Sequence, residues 1–340
     1  MNPNPTLFAS TPAGRAACRT TRRALLGGAA LSLLGVPARA QAWPTRPVRL
    51  IVAGPAGGSA DIVARLVADA LSRELGQPVI VDPKPGAAGA IAVGELLQAP
   101  RDGHTLMVGV NSLVSEIPHI VKLRFDMGKE LRPLAELARG GLVLVGHPSV
   151  PAKNLAELVA HAKAHPGQLN YASYSPGTLS HVLGLLLNQA AGIQLTHVGY
   201  KGSTPALADV MGNHVPLMFD GLATSLPLIK GGKLKAFAVS TPRRAPQLPD
   251  VPTFHELGYP QLDALAWMGP WTTPDAPAAV QTRVREAALK ALTEPALRAR
   301  LLDTGFEAGL PRTPDEMAQG LKADYERVGA VLKGIGFKPE

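Results

Sequence analysis

The hydrophobic pattern of residues 48–71 predicts a buried strand followed by an amphipathic helix. Residues 48–52 combine β-branched and other apolar side chains, as is typical of a buried strand. Pro55, Gly57 and Gly58 then allow a sharp turn, and apolar side chains recur at helical spacing from residue 62 onward. The first N–H groups of such a helix favour an anion above the strand. A turn of this kind also serves simple changes of direction, so both interpretations stay open.

The same alternation continues along the chain and predicts an α/β protein. Predicted strands at 79–81 and 105–110 enclose a helix at 91–97 with short connections, which implies a parallel sheet with right-handed crossovers. Ligands bind beyond the carboxyl ends of the strands in such sheets. Further strands are predicted at 142–145, 170–173, 196–200, 215–219, 234–239 and 267–272, with helices between most of them.

Capping signals predict where several later helices begin. Asn154 with Glu157 and Thr253 with Glu256 both have capping-box spacing. We expect a helix to follow each pair. We also expect helices to begin at Asp275 and within residues 313–316.

The first forty residues have the pattern of a secretory signal peptide. Arginines precede an uncharged run at 24–36, and Ala38-Arg39-Ala40 provides small residues for cleavage near Ala40. Arg22-Arg23 fits a twin-arginine signal, but general secretory signals also contain paired arginines, so the export route stays open. The apolar run has 13 residues, whereas a permanent span needs roughly 20. We therefore expect an exported chain that is not inserted in the membrane after signal removal.

Composition and charge narrow the functional classes. The chain is 46% apolar and 18% charged, as expected for a folded protein, and its 340 residues are enough for two domains. Its formal charge of +8 includes five arginines within residues 1–40, which contain no acid, so +3 is left for the remainder. That charge is too small to indicate nucleic-acid binding. The single cysteine, Cys18, precedes the apolar run, so we expect no disulfide or thiol chemistry in the exported chain.

Motifs for cofactors, metals and catalysis are weak. The three spaced glycines of a dinucleotide site are absent, and residues 201–203 lack the upstream glycine of a phosphate-binding loop. Ser180 and His181 are neighbours on a predicted helix, so their side chains point in different directions. His161 and His165 lie on a lysine-bearing helix end without a carboxylate partner, which favours a solvated face. We expect no enzyme activity, no cofactor and no metal.

Eleven short segments, in their order and number, carry a family resemblance across the exported chain. They are WPTRPVR at 43–49, GGSAD at 57–61, GQPV at 76–79, PGAAG at 85–89, DGHTL at 102–106, PSVP at 148–151, LNYAS at 169–173, GT at 177–178, YKG at 200–202, LMFD at 217–220 and LPDVPT at 248–253. Together they resemble the Bug-type periplasmic solute-binding receptors of the tripartite tricarboxylate transporter family.

The resemblance implies a two-domain periplasmic-binding-protein fold of type II, a hinged trap in which each domain is a mostly parallel sheet flanked by helices. Domain 1 would comprise 41–140 plus 266–340 and domain 2 would comprise 141–265, with crossings near 139–146 and 263–271. The ligand would be a small organic carboxylate, held by backbone N–H groups, hydroxyls and water rather than by arginine. Membrane transporter subunits would be the partners.

Carried over by motif, the predicted ligand-binding residues lie on two loops and beside them. Ala53 and Gly54 replace the family's common Pro-Phe, and Tyr174 and Pro176 replace small residues, so we expect a different solute. Asp61 favours a helix-capping role, and Lys201 is interpreted as a surface residue distant from the site. The predicted residues are Gly57, Gly58, Ser59, Ala60, Asp61, Asn111, Ser173, Tyr174, Ser175, Gly177, Thr178, His181 and Asp220.

Two other functions remain as alternatives. A sensor subunit that presents its ligand to a membrane kinase would share this ligand chemistry, and the sequence does not separate it from a receptor. An exported α/β hydrolase would need a G-x-S-x-G elbow and triad spacing, and the chain has neither. A receptor without catalysis therefore fits the sequence best.

Overall fold

Twelve β-strands form two separate sheets in the computed structural model, which describes residues 43–334 and 337. The predicted signal peptide at 1–40 lies outside these residues. The first sheet contains β1 (Val48–Val52), β2 (Val79–Pro83), β3 (Thr105–Val110), β4 (Arg132–Pro133) and β5 (Ala138–Gly140), together with β11 (Ala266–Thr272) and β12 (Glu307–Ala308). The second sheet contains β6 (Leu142–Gly146), β7 (Asn170–Ser173), β8 (Thr196–Gly199), β9 (Leu217–Gly221) and β10 (Lys235–Val239).

Both sheets are mixed. The first has the order β12-β5-β11-β3-β1-β2, with β1 parallel to β2 and β3, and with β11 antiparallel to β3, β4 and β5. The second has the order β10-β6-β9-β7-β8, with β7 parallel to β8 and β9, and β6 antiparallel to β9 and β10. The α/β class is confirmed. The parallel arrangement is interrupted at β6 and β11. The chain enters β6 from the first sheet and β11 from the second without a helical crossover, and both strands are antiparallel to their neighbours.

Helices cover both sheets. They are α1 (Ser59–Leu75), α2 (Ala90–Gln98), α3 (Ser112–Ser115), α4 (Met127–Glu130), α5 (Leu155–Ala164), α6 (Leu179–Ala191), α7 (Ser203–Met211), α8 (Leu222–Lys230), α9 (Ala278–Ala291), α10 (Pro295–Asp303) and α11 (Pro314–Gly334). Short 3₁₀ turns occur at Ala87–Gly89, Ile117–His119 and Pro260–Leu262. Within the described ranges, no helix has both the length and the apolar character that a membrane crossing requires.

The side chains of β6 belong to two apolar clusters, one on each face of the second sheet. Leu142 and Leu144 pack in one apolar cluster, whereas Val143 and Val145 pack in another, because successive side chains point to opposite faces. All four are buried, so neither face of β6 meets solvent. This continuous apolar run is typical of a strand covered by helices on both sides.

Two predicted helix starts are wrong. The capping box at Thr253 forms, with Thr253 Oγ1 accepting from the N–H of Glu256 at 3.0 Å, but turns follow it. Gly258, at φ +86°, and Pro260 prevent a helix there. Asp275 does not begin a helix either: α9 begins at Ala278, since Pro277 disfavours helical backbone in the residue before it.

Candidate functional site

A cavity of about 100 Å³ lies where loops of both sheets meet. Those loops follow β1, β2 and β3 in the first sheet, and β7 and β8 in the second. The carboxyl ends of parallel strands therefore surround the cavity, as expected for a ligand site in an α/β protein. Its lining comes from the segments 53–60, 86–89, 110–117, 174–178 and 200–203.

Three helices begin at this cavity. The N-caps of α1, α6 and α7 are Gly58, Thr178 and Gly202, and none of them makes a side-chain capping hydrogen bond. All three residues line the cavity. Because the first N–H groups of a helix lack partners within the helix and carry a partial positive charge, the convergence favours an anionic ligand.

Asp61 holds the turn before α1. Its carboxylate accepts from the N–H of Gly57 at 2.8 Å and from Nε of Arg65 at 2.8 Å. Both contacts are made by Oδ2, whereas the buried Oδ1 has no hydrogen-bond partner among the described residues. The Gly57 N–H lies before the first helical residue, so Asp61 holds the turn and does not cap a helix N–H group. The glycine allows the turn, since Gly57 has a φ of +71°.

Hydroxyl groups line the cavity, but they are not equally available. Thr178 Oγ1–H donates to the carbonyl oxygen of Ser175 at 2.8 Å, and Ser203 Oγ–H donates to Asp220 at 2.7 Å. The buried Ser59 hydroxyl interacts with the Tyr174 hydroxyl but does not reach the geometry of a full hydrogen bond. Because Thr178 and Ser203 donate to protein acceptors, Ser59 is the hydroxyl of these three that can most easily turn to a ligand.

Two neutral histidines, His181 and His197, contact the end of β7 and the loop that follows it. Gly177 N–H donates to Nδ1 of His181 at 3.2 Å, which places the His181 proton on Nε2. The rings of His181 and His197 stack at 3.8 Å, and His197 Nε2 lies 2.6 Å from Ser173 Oγ. Burial, and secondarily the His197 ring, lower the pKa of His181 to about 3. Burial lowers the pKa of His197 to about 4.

Asp220 organises a polar network behind the cavity. The fully buried carboxylate accepts hydroxyl hydrogen bonds from Ser203 and Thr224 at 2.7 and 2.6 Å. Tyr174 donates to Asp220 and accepts from the N–H of Gly221 at 2.6 Å. Burial raises the pKa of Asp220, although these hydroxyl donors oppose the shift. Asp220 thereby fixes two residues that line the cavity, Tyr174 and Ser203.

The segment after β2 provides a wall with an unusual backbone. Gly86, Ala87, Ala88 and Gly89 all have positive φ, of +115°, +47°, +50° and +86°. Left-handed backbone is disfavoured for alanine, and such conformations concentrate at ligand sites. Ala88 and Gly89 line the cavity. In the sequence, residues 85–89 contributed only to the family resemblance and had no place in the predicted site.

Loops of the two sheets touch across the cavity. Thr204 Oγ1–H donates to the carbonyl oxygen of Ala56 at 3.2 Å. Gly202, at φ +114°, packs so closely that an added Cβ would lie 2.3 Å from Cδ of Pro55. The two loop sets are therefore in direct contact, which is a closed arrangement.

The structure separates the predicted site residues into two groups. Gly58, Ser59, Ala60, Tyr174, Ser175 and Thr178 line the cavity. The others are not part of the lining: Asn111 Oδ1, for example, accepts from the N–H of Trp267 at 3.0 Å. This second group is Gly57, Asp61, Asn111, Ser173, Gly177, His181 and Asp220.

Sequence reasoning missed the loop after β8. Tyr200, Lys201, Gly202 and Ser203 all line the cavity, so the interpretation of Lys201 as distant from the site is wrong. One signal was available, because a loop at the carboxyl end of a predicted parallel strand belongs at the ligand edge of its sheet. The apolar wall formed by Val110, Leu113 and Ile117 was also missed.

Side-chain groups typical of metal binding or of nucleophilic catalysis are sparse in the described part of the chain. There, no group of three or more His, Cys, Asp or Glu side chains is arranged to hold a metal. Ser173 and His197 are in contact, but Ser173 is completely buried and neither residue lines the cavity. Ser180 donates its hydroxyl proton to the carbonyl oxygen of Phe219, away from His181.

Comparison with known proteins gives a consistent result. The family profile described as "Tripartite tricarboxylate transporter family receptor" matches residues 63–337. A UPF0065 protein of Bordetella bronchiseptica is 37% identical over 93% of this chain and 94% of its own length. The structure of Rhodopseudomonas palustris Rpa4515 with adipate is similar at a TM-score of 0.83, with 30% identity over 88% of this chain and all of that one. The structure of MatC with bound malate, from the same species, is similar at a TM-score of 0.80. The two sequences are 31% identical, over 85% of this chain and all of that one.

Proposed function

Because this chain belongs to the receptor family of the tripartite tricarboxylate transporters, we propose that it captures a small organic carboxylate and delivers it to a membrane transporter. The observation that carries the proposal is the convergence of three uncapped helix starts, those of α1, α6 and α7, on one cavity. Each start favours an anion by roughly 0.3–1 kcal/mol, and by up to about 2 kcal/mol when partly buried. Neutral donors therefore suffice to hold one carboxylate.

The cavity walls support a carboxylate with a carbon skeleton. Val110, Leu113 and Ile117 form an apolar wall on the side of the first sheet, whereas hydroxyl groups and helix starts come from both sheets. An apolar ligand body would lie against that wall, with its carboxylate at the helix starts. The similar proteins Rpa4515 and MatC were solved with adipate and malate, which are organic carboxylates.

We further propose that two domains close on this ligand, 41–140 plus 266–340 as domain 1 and 141–265 as domain 2. The membership of the two sheets supports this division, since the chain passes between them at Gly141 and again between β10 and β11. A ligand that contacts loops of both sheets would stabilise the closed arrangement more than an open one. The contact between Thr204 and Ala56 would then belong to the closed state.

Location in the periplasm, with residues 1–40 as a signal peptide cleaved near Ala40, belongs to the same proposal. The arginine-rich start, the apolar run and the Ala-x-Ala site support it. The twin-arginine route stays one of two possible routes. Intact-mass measurement of the protein from a periplasmic extract tests the cleavage, and a chain that retains Met1 would contradict it.

Thermal unfolding with a panel of small carboxylates tests the ligand class. A bound ligand raises the melting temperature by mass action. We expect at least one carboxylate to raise it in a saturable manner, while the corresponding neutral amide does not. If sugars, polyamines or neutral amides stabilise the protein and no carboxylate does, the proposal is wrong.

A further inference from the structure

We propose that a groove beside the ligand cavity is the surface with which the closed receptor docks to its membrane transporter, by accepting an apolar segment that carries acidic side chains. The inference rests on the proposed function, in which a loaded receptor delivers its carboxylate to a membrane partner. It adds to that function the surface that the partner contacts and the chemistry of the contacting segment.

The groove has a volume of about 590 Å³ and a mostly apolar lining. Val121, Leu123 and Phe125 line it and are half-buried, because each also packs against the apolar core of the first sheet. Ile91, in the first turn of α2, lines the same groove and is 50% exposed. Apolar side chains gathered in one groove, rather than scattered singly over the surface, mark an interaction site.

Two cations belong to the same lining. Lys122 and Arg124 are exposed and alternate with the apolar residues of the segment 121–125. Neither forms an ion pair within residues 43–334, and no Asp or Glu is among the described residues that line the groove. The next acid along the chain, Asp126, pairs with Lys129 at 3.1 Å and caps α4. An apolar groove with two uncompensated cations complements an apolar segment with acidic side chains.

Charge also separates this occupant from two others. The predicted signal peptide at 1–40 contains five arginines and no acid, so it would bring like charge to Lys122 and Arg124. A bare anionic membrane attracts cations, but stable adsorption takes clusters of roughly four to eight basic residues. Two cations beside an apolar groove therefore favour a protein segment.

Loops of both sheets complete the groove. Pro176, in the loop after β7, lines it together with residues of the segments 87–91 and 121–125. Ala88 lines the groove and also the ligand cavity. Next to Pro176, Gly177 packs against the first-sheet half so closely that an added Cβ would lie 2.8 Å from Cα of Ile117. The groove has this shape only while the two loop sets are in contact, so a partner that fits it distinguishes the closed receptor from an open one.

Biolayer interferometry on nanodiscs tests the surface. The nanodiscs carry the membrane subunits with which the wild-type receptor supports carboxylate uptake into proteoliposomes. The receptor loaded with the most stabilising carboxylate of the thermal panel should bind them, and Lys122→Glu/Arg124→Glu should bind at least about tenfold more weakly. The conservative Lys122→Arg/Arg124→Lys should bind as the wild type does. Without carboxylate the wild type should also bind more weakly, since the groove is then incomplete.

Matched variants control for charge and for lost ligand binding. Lys153→Glu/Lys233→Glu makes the same change in net charge at two exposed lysines outside the groove and the cavity, and it should dock normally. Ile91→Glu should weaken docking, whereas Leu302→Glu, at an apolar side chain of similar exposure, 46%, should not. Carboxylate affinity in calorimetry should stay within about twofold of the wild type in all of these variants.

The possible failures are distinguishable. If the groove variants dock as the wild type does, the groove is not the docking surface and the carboxylate receptor function stands. If the wild type binds carboxylate but supports uptake with no membrane subunits, the proposed delivery fails together with this inference. Equal docking with and without carboxylate would contradict the dependence on closure.

Two further results would assign the groove to another occupant and overturn the proposal. Equal binding to empty nanodiscs of the same lipid would make the occupant a lipid surface. A wild-type dimer that Lys122→Glu/Arg124→Glu dissociates in sedimentation velocity would make it a second copy of this chain.

Discussion

The backbone N–H of Gly177 donates to Nδ1 of His181, 3.2 Å away, and so ties the loop that lines the cavity to the helix that follows it. This hydrogen bond requires a neutral imidazole, because protonation would turn the acceptor into a donor. The stacked His197 ring adds a second group that cannot easily gain charge. The relationship leads to the first prediction.

Stability should fall on acidification because of these two histidines. The pKa values of His181 and His197 in the folded protein are about 3 and about 4, below the ordinary value of 6.5. Between those pH values the unfolded chain therefore binds more protons than the folded protein does. The contribution is present above pH 6.5 and is lost as the pH falls toward 4. Between pH 7 and pH 5 the two histidines should together lower the unfolding free energy by about 3–4 kcal/mol. The buried Glu116, whose pKa is raised to about 7, gains a proton over the same range and should offset about 2 kcal/mol, so urea unfolding should show a net decrease of about 1–2 kcal/mol. His181→Phe should reduce that decrease, and an equal decrease in the variant would contradict the assignment.

Glu116 should have the opposite pH dependence. Its carboxyl is buried next to Ser115, and burial raises its pKa to about 7. Ser115 Oγ–H has the carbonyl oxygen of Asn111 as an acceptor at 2.9 Å, so a protonated Glu116 can donate to Ser115 Oγ. The folded chain binds the extra proton between pH 4.5 and 7, and the stability it provides is lost as the pH rises through 7.

Glu116→Gln tests this second dependence, because the amide also donates a hydrogen bond and carries no charge. At pH 8 the variant should unfold with a free energy about 2–3 kcal/mol above that of the wild type. At pH 4.5 the two proteins should be nearly equal. Denaturant titration at both pH values measures the difference, and a variant less stable at pH 8 would show that the acid is ionised and satisfied there.

Ser59→Ala should weaken ligand binding without affecting folding. The Ser59 hydroxyl is buried at the cavity beside the Tyr174 hydroxyl, and a ligand carboxylate would replace that neutral neighbour as a stronger acceptor. Losing one such bond corresponds to about 1–2 kcal/mol, or about five- to thirtyfold in affinity. Calorimetric titration with the best carboxylate measures it. Ser149→Ala, at an exposed position outside the cavity lining, serves as the control and should bind as the wild type does.

Gly202→Ala should hinder the closed arrangement. An added Cβ would meet Cδ of Pro55 at 2.3 Å across the cavity, and the φ of +114° is also unfavourable for alanine. We expect at least tenfold weaker binding and a larger radius of gyration in X-ray scattering with ligand present. Gly232→Ala imposes a positive φ of +66° with no atom in the way, so it controls for an alanine at positive φ without the contact, although the strain at Gly202 is larger. If both variants closed normally, the contact between Gly202 and Pro55 would have no part in closure.

Local pattern was sufficient for much of the fold. β1, β3 and β7 have the predicted bounds. For β1 and β3 the reason is that their apolar and β-branched residues are bounded by turn-forming residues. Short strands such as β4 and β12, of two residues each, carry too few side chains for a periodic signal. They exist because β11 and β5 offer partners, which is a tertiary effect.

The site was predictable only where the family's motifs cover it. Ser59 and Thr178 entered the predicted site through the family resemblance, and each stands beside a glycine where a helix begins. Lys201 was missed because a lysine in a loop is normally solvated, and its place at the cavity depends on pairing between β7 and β8. The reversed strands were missed for the same reason: neighbouring β-strands are chosen by the whole fold.

The position of β11 also constrains the order in which the chain can fold. β11 lies between β3 and β5 in the first sheet, although its residues follow the whole second sheet in sequence. The second sheet is continuous along the chain, from residue 142 to residue 239, so its pairings can form as soon as that segment is available. In the first sheet, β5 can pair with β11 only after residues 266–272 are available. Long-range pairing of this kind is intrinsically slow, so completion of the first sheet around β11 should be the last step of folding.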